Sequence, residues 1–278
     1  MIWGTFYEAM ELTGLASEFN NQSFTVLAPV DKVFKSYLTG LGVSDVNHWV
    51  QVYGEKLVKN VLRYHIIKGP AINAQHFSSS YLTTMATDEQ GNGLSLFAQR
   101  KDTLIKLNNY GTITQMNLQA ENGVIHKINQ VLNLPSLPIL LEVNPEFSQL
   151  RKCFQSANGN INTLLRQENS TYTLFAPTNR AFKDLFDNNP SYTDYYSFAS
   201  QNSASQMRDI MLFHLLPKKF RSSALNSNKY TTELNGKKLT IVKDSMGNIS
   251  LTDSNGNSAN IIITDITAIN GIMHSLTM

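Results

Sequence analysis

The chain has 278 residues, 42% of them hydrophobic, 10% aromatic and 16% charged, with a formal net charge of +2. That length suits two domains with a core in each, and the near-zero charge excludes a global field for steering onto nucleic acid or an anionic membrane. A lone cysteine, Cys153, excludes an intrachain disulfide, and no apolar run reaches the roughly 18 residues of a membrane helix.

Met1-Ile2-Trp3-Gly4 runs straight into an amphipathic helix predicted over Phe6–Leu15, so the start reads as no signal peptide. The leader of an exported protein would lie upstream of it. After a loop at Asn20–Ser23, Phe24–Pro29 reads as a short buried strand stopped by Pro29, with Asp31 capping a helix to about Leu38. Ser44 or Asp45 caps a stretch containing Trp49, Val50 and Tyr53. A helix over Glu55–Ile67 carries Leu57, Val58, Val61, Leu62, His65 and Ile66 on one stripe, ended by Pro70.

From Tyr81 the period changes to alternation, predicting strands over 81–86, 94–98, 104–107, 113–118 and 124–132 with hairpin turns at 91–93 and 108–111. Asn133–Pro138 has linker composition and divides a domain over 1–138 from one over 139–278. The second half repeats the order. A helix over 145–157 puts Leu150, Cys153 and Phe154 on one face, so Cys153 reads as a buried small hydrophobe. An Asn-rich turn and a helix over 161–167 lead to the strand Tyr172–Pro177, capped by Thr178 or Asn179, and its helix. An aromatic-rich helical insert over 192–198 precedes a helix over 204–216 stopped by Pro217. Strands follow over 230–234, 239–242, 249–252, 259–264 and 272–276. Helices first and antiparallel strands second is an α+β order, not βαβ alternation.

Three landmarks carry the repeat. Tyr172-Thr-Leu-Phe-Ala-Pro177 copies Phe24-Thr-Val-Leu-Ala-Pro29, 148 positions earlier. Tyr64-His65-Ile66 answers to Phe213-His214-Leu215, and Asn122-Gly123-Val-Ile-His126 to Asn270-Gly271-Ile-Met-His274. The same motifs in the same order make one module used twice.

Together these segments resemble the fasciclin (FAS1) domain, as two tandem copies covering nearly the whole chain. The resemblance implies, in each copy, a wedge-shaped antiparallel β-sandwich-like core of about seven strands with packed helices. It also implies an extracellular, secreted or lipid-anchored surface protein, bacterial by that reading, that adheres to an extracellular protein or glycan. Anchoring would come through an N-terminal leader or lipid. Departures are Val30 for Thr at the first cap, Leu27 for Phe, and Phe213 for Tyr. The second copy also stops at Met278, a few residues short of the family's usual extent.

The residues that could carry chemistry are the pairs His65/His126 and His214/His274. Two histidines with no recurring Cys or carboxylate fall short of a metal site, and their apolar stripes predict hydrogen-bonded core rings, with no metal and no cofactor. Gly123 and Gly271 read as turn glycines. No nucleophile elbow, zinc-protease, P-loop or dinucleotide motif occurs, so no enzyme is expected. Two short matches bear on binding through the family resemblance: Tyr64-His65 with its branched neighbours, and Asp265-Ile266, which Asn117-Leu118 replaces in the first copy. An Asp beside an exposed branched residue would offer a carboxylate plus apolar area. The alternative function is a carrier of a small apolar ligand or pigment in an interior cavity, which a cavity of several hundred Å³ would favour.

Overall fold

The computed structural model describes residues 4–19, 23–157, 161–166 and 171–277. Met1–Trp3, most of the loop expected at 20–23, the Asn-rich turn after Ala157 and Gln167 lie outside the described residues. Contacts divide the chain into Met1–Pro135 and Ser136–Met278.

The first unit opens with α1 (Gly4–Leu12), β1 (Phe24–Pro29), α2 (Asp31–Gly40), α3 (Val46–Tyr53) and α4 (Glu55–Arg63). Then come β2 (Ile66–Lys68), β3 (Ser80–Thr87), β4 (Gly93–Lys101), β5 (Leu104–Leu107), β6 (Gly111–Ala120) and β7 (Gly123–Ile128). The seven strands close into a barrel in chain order. The last rung is parallel, with β7 beside β1 from Phe24↔Gly123 to Pro29↔Ile128. Pro29, which has no N–H to donate, sits at the strand's final position.

The helix expected to run through Ile67 ends at Arg63. Ile66 and Ile67 pair instead with Val26 and Thr25 of β1. Both are β-branched, and the ladder completes one side of the barrel.

The second unit contains α5 (Leu137–Val143), α6 (Ser148–Ser156), α7 (Ile161–Arg166), β8 (Tyr172–Pro177), α8 (Asn179–Asn188), α9 (Tyr195–Gln201) and α10 (Ala204–Phe213). Its strands continue as β9 (Leu215–Leu216), β10 (Asn228–Thr231), β11 (Lys238–Lys243), β12 (Ile249–Thr252), β13 (Ser258–Ala268) and β14 (Gly271–Thr277). They form one sheet in the order β10-β11-β12-β13-β14-β8-β9, again with its first and last strands, β8 and β14, parallel. Pro217 stands where Lys68 does in the first copy, and β9 stops before it. The rung that Lys68 makes with Phe24 therefore has no counterpart.

Part of the stretch with linker composition is structured. Pro138 occupies the first turn of α5, where its missing N–H costs nothing. Leu137, Leu140, Leu141 and Val143 are buried, and the Leu137 N–H donates to Asn270 Oδ1 at 2.9 Å.

The cap positions also differ from expectation. Of the two expected candidates, Thr178 caps α8, accepting the Ala181 N–H, and Asn179 does not. Asp31 does not cap α2, whose N-cap Val30 offers no side-chain acceptor. Its Oδ1 instead accepts the Thr5 N–H (2.9 Å) and hydroxyl (2.6 Å) at the start of α1. Asn179 does the same in the second unit, accepting the Gln149 N–H and the Ser148 hydroxyl at the start of α6. One polar side chain in each module thus caps the start of a neighbouring helix, α1 or α6, and pins it beside the landmark strand.

Candidate functional site

The four motif histidines are framework. His65, fully buried, has Nδ1 2.9 Å from the Val61 carbonyl one turn back, and Nε2 accepts the Leu132 N–H at 2.9 Å. This fixes the tautomer with the proton on Nδ1. Burial pushes its pKa down to about 4. His214 repeats the first bond, Nδ1 to the Ile210 carbonyl at 2.8 Å, and burial lowers its pKa too.

His126 and His274 take the opposite tautomer. Their Nε2–H groups donate to the carbonyls of Ile72 (2.8 Å) and Phe220 (2.9 Å), while Nδ1 accepts the N–H of Asn117 (3.3 Å) and Asp265 (3.2 Å). The hydroxyls of Thr25 and Thr173, from the landmark strands, accept the N–H groups of the same Ile72 and Phe220. Thr and His together hold one loop against the sheet in each copy. Burial lowers both histidine pKa values, so the rings stay neutral near pH 7. Replacing His126 by Ala strands the Ile72 carbonyl and the Asn117 N–H. It is expected to cost about 1–3 kcal/mol, read as a lower urea midpoint, while a chelator leaves the wild-type midpoint unchanged. An unchanged midpoint in the variant would show that the ring bonds contribute nothing.

Asp265 and Asn117 are equivalent bulge residues. Both have left-handed backbones (φ 61° and 58°) at register shifts of β13 and β6. Each side-chain oxygen accepts a loop N–H, Ser222 for Asp265 (2.9 Å) and Ala74 for Asn117 (2.7 Å). Asp265 also accepts the Ser222 hydroxyl at 2.6 Å and lies 3.6 Å from the Arg221 guanidinium, with a fifth of its side chain exposed. Ile266 is buried, correcting the expectation of an exposed branched neighbour. Tyr64 is buried as well. Its hydroxyl donates to the Ser95 carbonyl and accepts from Asn108 Nδ2 (2.8 and 2.9 Å). Of the four residues matched to binding motifs, Tyr64, His65 and Ile266 reach no surface.

Gly123 and Gly271 are needed for a different reason than turn conformation. Neither has positive φ; each opens a strand pressed on its parallel neighbour. A Cβ on Gly123 would lie 2.2 Å from the Phe24 carbonyl oxygen, and one on Gly271 2.7 Å from that of Tyr172. Pro177 ends β8 as Pro29 ends β1. Cys153 is buried and its thiol pKa is pushed up to about 12 by burial, the opposite of an activated nucleophile. Among the described residues no three His, Cys, Asp or Glu side chains group as metal ligands, and no helix is long and apolar enough to cross a membrane.

A feature that sequence patterning did not reveal lies in the second unit. A cavity of about 420 Å³ sits under α8, α9 and α10, lined by Phe182, Leu185, Phe198 and His214 among others. No local signal marks it, because its walls come from segments as far apart as Cys153 and Leu276.

Two modules with the same bulge, the same Thr-His clamp and the same parallel pair set the frame for comparison. The fasciclin domain family model matches residues 3–135 and again 145–277. The chain belongs to the fasciclin family. Transforming growth factor-beta-induced protein ig-h3 of Sus scrofa is 25% identical over 280 residues, covering 98% of this chain and 35% of that protein. Human (Homo sapiens) periostin is 26% identical over 216 residues, covering 77% of this chain and 22% of its own. The chain thus spans about a third or less of the length of these two relatives. The fasciclin domain pair of the insect cell adhesion molecule fasciclin I superposes with a TM-score of 0.59 at 19% identity, covering 98% of this chain and 94% of that one. The expected fold, two tandem fasciclin domains with seven strands and packed helices each, is the one observed. Two details refine it: each domain contains one parallel pair, and the first closes into a barrel.

Proposed function

We propose that this fasciclin-domain pair is a non-enzymatic adhesion or interaction module, secreted or held at a cell surface, that binds an extracellular protein or glycan. The observation that carries this reading is the use made of the reactive side chains. All four motif histidines, the Asp265 carboxylate and Tyr64 bond to the protein's own backbone or side chains. The likeness to a protein described as an insect cell adhesion molecule supports it. Of the four residues matched to binding motifs, Asp265 alone keeps part of its side chain in solvent, so it is the residue through which we place a contact.

Asn117 shows that Asn fits this bulge, so Asp265→Asn removes the charge and keeps the loop bond. Beads coated with the wild-type pair are expected to adhere to a protein or glycan surface, and beads with folded Asp265→Asn to lose most of that adhesion. Equal adhesion by both would leave Asp265 as framework. No adhesion by wild type across matrix-protein and glycan arrays would remove the adhesive reading itself. The cavity favours a second reading, in which the second domain carries a small apolar ligand; its size falls in the range of small-molecule sites.

A further inference from the structure

Six Asn-Gly steps occur in the sequence, at Asn92, Asn122, Asn158, Asn235, Asn255 and Asn270. At such a step the glycine nitrogen can approach the asparagine carboxamide unhindered, because glycine carries no side chain. Asn158 lies outside the described residues. Three others are held by the fold. Asn270 is buried, its Oδ1 accepting the Leu137 N–H and its Nδ2 donating to the Leu165 carbonyl. Asn92 Nδ2 donates to both carboxylate oxygens of Asp88, at 3.2 and 3.1 Å. Gly93, Gly123 and Gly271, which supply the nitrogens at these steps, are ladder residues opposite Thr87, Ala120 and Ala268.

Asn235 and Asn255 are exposed, and neither side chain has a hydrogen bond among the described residues. Asn235-Gly236 is the tip of a turn with positive φ at both residues (38° and 73°), closed by the Lys237 N–H on the Leu234 carbonyl at 2.8 Å. The Gly236 N–H has no partner among the described residues. Asn255 stands in the loop Asp253–Asn257 between β12 and β13. Asp253 Oδ1 accepts the N–H groups of Asn255 and Asn257, and Asn257 Nδ2 donates to Oδ2. The Gly256 N–H reaches the Asp253 carbonyl only at 3.3 Å. The loops Asp88–Asn92 and Asp244–Asn248 repeat these bonds, with Gln90 and Met246 at the place of Asn255. That place points to water: Met246 is 83% exposed. Only the loop at Asp253 puts there a side chain of the right length to close a five-membered ring on the following nitrogen.

We infer that Asn235 and Asn255 are sites of spontaneous covalent modification, at which the folded protein converts a side-chain amide to a carboxylate. The glycine nitrogen gives up its proton to water or hydroxide and bonds to the asparagine Cγ. The Cγ–Nδ2 bond then breaks, and the nitrogen leaves with a proton as ammonia. Water opens the resulting five-membered imide at either carbonyl, giving aspartate or isoaspartate; no oxidant or reductant takes part. Conversion of both sites takes the formal net charge from +2 to zero. The charge of the second domain is then set by age as well as by sequence. This modification is independent of the adhesive contact at Asp265, and either can fail without the other.

The test incubates the full chain in mildly alkaline water labelled with heavy oxygen, then digests it and fragments the peptides to assign the label to residues. Label should enter at Asn235 and Asn255 about tenfold faster, or more, than at Asn92, Asn122 and Asn270, which react only when their ladders open. In urea, where every step is released, the five rates should converge. Asn255→Gln keeps the loop, since Gln90 holds the same place in its own, and should lose nearly all label at that position while Asn235 reacts as before. Absence of label at Asn235 or Asn255 would overturn the inference, as would equal rates at all five in the native protein. Rates that stay as far apart in urea would assign the difference to sequence neighbours and not to the fold. Label entering Asn255→Gln at the wild-type rate would replace the imide route with direct hydrolysis.

Discussion

Lowering the pH from 7 to 4 is expected to remove about 3 kcal/mol of stability from the first domain through His65 alone. The folded ring titrates near pH 4, against an ordinary value of 6.5, because burial penalises its charged form, a loss that the bond to the Val61 carbonyl offsets only in part. The unfolded chain therefore takes up the proton first as the pH falls. The contribution is complete above about pH 6.5, is lost between there and about pH 4, and changes no further once both states are charged. Burial lowers the His126 pKa as well, adding a loss of the same sign in this domain. Lys35 and Thr5 hold the Asp31 carboxyl below its ordinary 3.8, so its contribution is lost only at still lower pH, and its exposure makes that contribution small. A loss of this size is a large fraction of a domain's usual stability. Both tryptophans, Trp3 and Trp49, belong to the first domain, so urea unfolding followed by tryptophan emission reads that domain directly. The wild-type midpoint should fall between pH 7 and 4.5, and His65→Gln should start lower and fall less over that interval. A pH-independent wild-type midpoint would contradict the buried neutral ring.

Gly123→Ala is expected to lower first-domain stability by about 3 kcal/mol or more, or to abolish folding. The added methyl would sit 2.2 Å from the Phe24 carbonyl oxygen and 3.1 Å from its carbonyl carbon and nitrogen. These are backbone atoms of β1, and they cannot yield without separating the first rung of the parallel β1–β7 pair that closes the barrel. Gly271→Ala should destabilise the second domain in the same way, since its methyl would sit 2.7 Å from the Tyr172 carbonyl oxygen and 2.4 Å from Cδ1 of the buried Leu137. Gly40→Ala is the contrasting control. Gly40 ends α2 with ordinary helical backbone and nothing within 4 Å of the new methyl, so alanine there should be neutral or stabilise by about 0.4–1 kcal/mol. Urea midpoints of the two first-domain variants measured side by side separate the effects. A wild-type midpoint for Gly123→Ala would show that the strand pair relaxes without cost.

Much of this molecule was legible because its signals are local. Alternation located every long strand of both sheets, and two of them, Leu104–Leu107 and Ile249–Thr252, to the residue. Thr178 was readable as a cap because capping joins residues three apart. The doubling of the landmarks disclosed two modules before any contact was known, since a repeat needs only comparison of the chain with itself.

What the tertiary structure decided depends on partners far along the chain. Ile66 and Ile67 fit a helical stripe as well as a strand, and only pairing with β1, some 40 residues earlier, makes them strand. Leu137 lies in a stretch of linker composition, and only Asn270, 133 residues away, receives its N–H. Asp31 and Asn179 stand at the start of one helix and cap another. The Asp265-Ile266 step reads in sequence as a carboxylate beside an exposed apolar residue. The bulge at Asp265 sends Ile266 into the core and turns the carboxylate toward Ser222 and Arg221. By itself the sequence determined the periodicities and the Thr178 cap, which neighbours within a few residues set, and the repetition, which needs only the chain's likeness to itself. Which side chains remain free for a partner depended on packing between segments tens to more than a hundred residues apart, and no local pattern encodes that.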